Sequence, residues 1–146
     1  MAATTYIAMF VFLVLLLAMA LTAGTKNSIS ALAERWRWLL LVALWSQCLL
    51  LPQMFDITKD GWQWLPFIGI GAVVFCGGAT IFTHKLDWWT HIISAAVAFT
   101  ALIGWVMVMD SRCLLPLVVC ACAGRERIIW RCEIGLVASV YMVLLL

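Results

Sequence analysis

The sequence predicts an all-α, polytopic membrane bundle of six spans, and three observations carry that prediction. Hydrophobic residues make up 66% of the 146-residue chain and charged residues 11%, with a mean hydropathy of +1.11. So little polar surface cannot coat a water-soluble globule of this size. The apolar residues fall into six stretches separated by short polar joints, and seven of the nine Lys and Arg residues lie in alternate joints or, for Arg131, at the start of the last stretch. The period-2 alternation of a transmembrane barrel is absent, so the backbone groups in lipid must be satisfied within helices. The joints are too short for a soluble domain, and residues 1–146 read as a single integral membrane domain.

The stretches run over about residues 6–23, 38–54, 65–83, 91–109, 113–123 and 128–146. A bilayer core of about 30 Å takes about 20 helical residues per crossing. The first stretch follows a segment with no basic residue and is not followed by a small-x-small cleavage site, so it reads as a helix of the mature chain and not as a signal peptide. The second is preceded by Asn27-Ser28-Ile29-Ser30 with Glu34 beyond, and Ser30, or Asn27 with Ser30, is the expected cap of a helix running through Ala31 to Leu39. It leaves the membrane at Pro52. The joint that follows turns at Asp60-Gly61, and Pro66 suits a first-turn position of the third span.

The third span carries Gly69, Gly71, Gly77 and Gly78, with Ala72, Cys76 and Thr80 at four-residue spacing; the fourth carries Ser94, Ala95, Ala98 and Ala101 along one side. Small residues let helices approach closely in lipid, where packing drives association, so these two helices are expected at the centre. The fifth stretch has eleven residues, covers only about 17 Å and alone would suit a re-entrant segment, giving an alternative of five spans plus that piece. Charge favours a crossing. Lys26, Arg35, Arg37, Lys85, Arg125, Arg127 and Arg131 share one side if it crosses, leaving Lys59 and Arg112 on the other. The positive-inside rule then puts both termini on the outer side of a cell inner (cytoplasmic) membrane.

The nine tryptophans fit this scheme. Trp36, Trp38, Trp88, Trp89 and Trp130 sit at the inner edge, and Trp62, Trp64 and Trp105 at or near the outer one, as an aromatic belt would. Only Trp45 lies in mid-span. The six cysteines form no CxxC pair, and Cys120 and Cys122 point to different helix faces; they read as small packing residues. No basic, aromatic-laced patch suggests nucleic acid.

Ionisable groups in lipid are costly and therefore mark sites. Glu133 lies about five residues into the last stretch, where it reads either as a tie to a polar partner such as His91 or a serine, or as a proton-binding carboxylate. His84, Asp87 and His91 share one face if their segment is helical, and two histidines with a carboxylate are a candidate metal set. Ser28 and Ser30 support the same polar region, which the orientation puts on the cytoplasmic side. No cofactor is required, with zinc or another metal as the one candidate.

The Ser28-Ile29-Ser30 joint, the Pro52 exit, His91 opening the fourth span, and Trp130 with Glu133 opening the last resemble an uncharacterised family of small bacterial polytopic inner-membrane proteins. The resemblance covers most of the chain from Ser28 onward and implies no activity. Ser28 or Ser30, Asp87, His84 and His91 also loosely resemble the polar set of the CREST group of ceramidase-like membrane hydrolases, which hold zinc with three histidines in a seven-span fold. A third histidine and a seventh span are missing here.

Three functional readings follow. The first is a non-enzymatic bundle that binds lipid or another membrane protein. The second is a small proton- or cation-coupled transporter using Glu133, and the third a metal-dependent membrane hydrolase with a cytoplasm-facing site. The expected partners are membrane lipid, another membrane protein or further copies of the chain.

Overall fold

The computed structural model describes residues 3–23, 28–82 and 88–146; Asn27, His84 and Asp87 lie outside them. All described secondary structure is helical: α1 (Ala3–Ala23), a 3-10 turn (Ser30–Leu32), α2 (Ala33–Ser46), a second 3-10 turn (Gln47–Leu50), α3 (Leu51–Ile57), α4 (Trp64–Phe82), α5 (Trp88–Asp110), a third 3-10 turn (Ser111–Leu114), α6 (Leu115–Cys122) and α7 (Ile128–Leu145). Among the described residues, four helical stretches are long and apolar enough to cross a membrane: Ala3–Thr22, Ser30–Ile57, Trp89–Cys122 and Ile128–Leu145. A shorter apolar helix covers Trp64–Gly78.

The first stretch shows why an apolar helix needs lipid. Ala8, Phe12, Leu16 and Met19 face inward at spacings of three and four, while Phe10, Leu13, Leu17 and Leu21 on the other side are equally apolar and exposed. A helix that is hydrophobic all round has no aqueous face.

The second stretch is helical from the Ser30 joint onward, as expected, but less regular than a single helix. Its helical run opens at Ser30, bends at Trp36, whose φ of −125° and ψ of 36° are non-helical, and tightens into a 3-10 turn at Gln47–Leu50. Pro52 explains the tightening: it lacks an N–H, and its ring crowds the carbonyl four residues back. Pro52 therefore sits in the first turn of α3 and does not end the helical run.

α4 packs on α2 and α5. A Cβ on Gly69 would meet Leu102 Cδ2 at 2.6 Å, and one on Gly77 would meet Leu44 Cδ1 at 2.9 Å. Gly71 and Gly78 face open space, so the glycines serve only two of the helix faces.

Helix α5 ends where Asp110 turns extended (φ −158°, ψ 109°). Its carboxylate accepts the Arg112 backbone N–H at 2.9 Å and pairs with the Arg112 guanidinium at 2.7 Å. Beyond this break, α6 packs backbone to backbone on α7: a Cβ on Gly135 would come within 2.8 Å of Leu117 Cα. Gly124 (φ 146°) and Arg127 (φ 53°) make the turn between them.

One tryptophan departs from the belt. Trp105 is fully buried, and its indole N–H donates to Thr58 Oγ1 at 2.7 Å, while that hydroxyl donates onward to the Met54 carbonyl. A buried indole needs such an acceptor. The threonine at the end of α3 supplies it, making Trp105 a core residue instead of an interfacial one.

Candidate functional site

The Ser28-Ile29-Ser30 joint organises the polar end of the bundle. Ser28 Oγ accepts the Ala31 N–H at 3.3 Å, so Ser28, and not Ser30 as expected, caps the helical run. The N–H of Ile29, one of the groups a helix start leaves without an internal acceptor, donates to Glu133 Oε2 at 2.5 Å. Glu133 is thus tied to a backbone amide and not to His91 or a serine. Nothing in the local sequence could indicate this, since the partners stand 104 residues apart.

With capping left to Ser28, the Ser30 hydroxyl is free to reach α5. It hydrogen-bonds His91 Nε2 at 3.1 Å and Ser28 Oγ at 2.9 Å. The other ring nitrogen, Nδ1, lies 3.2 Å from Cys76 Sγ on α4. His91 therefore joins three elements through both ring nitrogens. The sequence had shown Cys76 only as a small packing residue.

Next to this cluster is a partly enclosed cavity of about 130 Å³. Its walls are apolar and come from five helical segments, for example Phe12, Leu44, Ile70, Phe99 and Leu136. Glu133, His91, Ser30 and Cys76 line it at the joint end, and Gln47 and Tyr141 line it farther along. Glu133 and Tyr141 are eight residues apart on α7, about 12 Å along the helix axis, which sets the scale of the cavity.

Gln47 and Tyr141 satisfy each other. Tyr141 donates its hydroxyl to Gln47 Oε1 at 2.6 Å, and Gln47 Nε2 donates to Ser46 Oγ at 3.1 Å and, more weakly, to the Ala8 carbonyl at 3.4 Å. Phe12 meets the Tyr141 ring edge-on, with centroids 6.4 Å apart. This pair was not legible in advance, because a glutamine in one apolar run and a tyrosine in another carry no mark of each other.

Of the residues singled out from sequence, Glu133, His91, Ser28 and Ser30 come together. His84 and Asp87 fall outside the described residues. Among the described residues no group of three or more His, Cys, Asp and Glu side chains is arranged to hold a metal ion. All six cysteines are free thiols. No family model, curated protein or solved structure matches the chain.

Proposed function

We propose that this is a non-enzymatic, six-span protein of the inner (cytoplasmic) membrane that holds a membrane lipid or a similar amphiphile in its central cavity. The observation that carries this reading is the cavity itself, with apolar walls on α1, α2, α4, α5 and α7 and one polar end at the joint. Pockets for small ligands have this make-up: mostly apolar walls with a few fixed polar groups. Glu133 and His91 serve as internal ties that hold the joint over that end.

Two features support the six-span count and the orientation with both termini outward. The exposed Asp110–Arg112 pair interrupts the long apolar run Trp89–Cys122, as a joint at a membrane surface would. The close packing of α6 on α7 suits an antiparallel pair, in which the fifth stretch crosses. A single domain of residues 1–146 follows.

The test is retention of ligand. Purified protein in a mild detergent, examined by native mass spectrometry, should carry a bound amphiphile, and Ala98→Phe, which fills the cavity, should lose it while keeping its helical circular dichroism. Equal retention by the two proteins would overturn the reading.

A second reading, cation-coupled transport through Glu133, is favoured by one observation: Gln47 and Tyr141 line the same cavity about 12 Å away along α7. Proton-coupled flux of cationic substrates in proteoliposomes would support it. The metal set named for hydrolysis includes His84 and Asp87, which lie outside the described residues.

A further inference from the structure

We infer that the cavity selects an amphiphile with a primary or secondary ammonium head, and that Glu133 is its counter-ion. This deepens the binding reading above and rests on it.

Glu133 uses Oε2 to accept the Ile29 N–H, and among the described residues Oε1 has no hydrogen-bond partner. The ion pair formed by described residues, Arg112–Asp110, lies away from the cavity at the end of α5. Among the described residues, no Lys or Arg lines the cavity. A carboxylate within a span is costly unless a cation or hydrogen-bond donors satisfy it. An ammonium group supplies both.

Other head groups fit less well. A head group ending in a carboxylate or phosphate would face Glu133 with no cation among the described lining residues to receive it, and both nitrogens of His91 are engaged by Ser30 and Cys76. A quaternary ammonium has no N–H to give and is normally held by an aromatic cage. Here Phe12 and Tyr141 pack on each other, at the end away from Glu133.

Size limits the body of the ligand. The cavity is about 130 Å³, and an apolar cavity of about 150 Å³ accommodates benzene. The fitting ligand therefore has one ring or a chain of about six carbons inside the protein. Its tail would point toward Gln47 and Tyr141, whose mutual hydrogen bond leaves no polar group there in need of a partner. The ammonium could belong to a small free amine or to the head of an aminophospholipid; the shared chemistry is the ammonium.

The experiment compares head groups on one tail. Thermal unfolding of the detergent-solubilised protein at neutral pH is followed with n-hexylamine, n-hexanol, hexanoate and hexyltrimethylammonium, for the native chain and for Glu133→Gln. Saturable stabilisation by hexylamine with an affinity about tenfold above hexanol is expected, as one desolvated charge contact would give. The preference should vanish in Glu133→Gln, with hexanol binding kept. Equal binding of hexylamine and hexanol by the native chain would overturn the ammonium inference while leaving an amphiphile cavity in place. If none of the four binds and no lipid is retained, the binding reading falls as well. Should Glu133→Gln not fold, the comparison on the native chain alone decides the matter. Repeating it in nanodiscs separates the sources: phosphatidylethanolamine competing with hexylamine, where phosphatidylcholine does not, assigns the ammonium to a lipid head. Absence of competition assigns it to a small amine.

Discussion

Ile29 donates its backbone N–H to the carboxylate of Glu133, so the only acidic side chain of α7 terminates the first turn of a helical run 104 residues earlier in the chain. The bond connects the α1–α2 joint to the last helix. It also leaves one carboxylate oxygen beside the central cavity, combining a structural tie with a candidate binding group.

Removing that acceptor should destabilise the bundle. Glu133→Leu leaves the Ile29 N–H unpaired at a site screened from water, at a cost of about 1–3 kcal/mol. Glu133→Gln keeps an amide oxygen for the same bond and should lose clearly less. Reversible unfolding in mixed micelles measures both; equal losses would show that the bond contributes nothing.

The Tyr141–Gln47 pair offers a cleaner cycle. Tyr141→Phe removes the donor to Gln47 Oε1 and should cost about 0.6 kcal/mol, within the range found for interhelical hydrogen bonds in membranes. Combined with Gln47→Leu, which removes the acceptor as well, the two losses should add to less than their sum. Strict additivity would mean that the two groups do not interact.

Helix packing predicts a contrast between two glycines on α4. Gly69→Ala puts a methyl into Leu102 and should destabilise by about 1–3 kcal/mol, the usual cost of overpacking. Gly71→Ala meets nothing and should be neutral or slightly stabilising. Combined with Leu102→Ala, which removes the clashing side chain, the total loss should be smaller than the sum of the two single losses. If the two alanine variants unfold alike, the α4–α5 contact is not as close as described.

Topology can be read with reporter fusions. Alkaline phosphatase, which folds only outside the cytoplasm, should be active when fused after Arg112 or Leu146, and green fluorescent protein should be bright after Glu126. Active phosphatase after Glu126 would instead mean that the fifth stretch fails to cross.

Parts of this molecule were readable from composition and spacing. α1 and α7 coincide closely with apolar runs, and the Asp60-Gly61 turn does have its glycine at positive φ (89°). The close approach of α4 to α5 was expected from their small residues, although Gly71 and Gly78 turned out to face open space. Glu133 and His91 stood out because ionisable groups are scarce in apolar runs, and Ser28 and Ser30 because they stand in the joint before a helix start. Their partners Cys76 and the Ile29 amide did not, since each is ordinary until something is placed beside it.

The sequence by itself determined that the chain forms long apolar helices, and roughly where they start and stop. Those properties depend on neighbours within a few turns, and the cost of an unsatisfied backbone in lipid enforces them locally. Only the tertiary structure decided that Ser28 caps while Ser30 reaches His91, that Trp105 is buried on Thr58, and that Glu133 meets Ile29 at the rim of a cavity. Each of these is a choice among partners of similar chemistry, made by which side chains are brought within about 3 Å by helices distant in sequence.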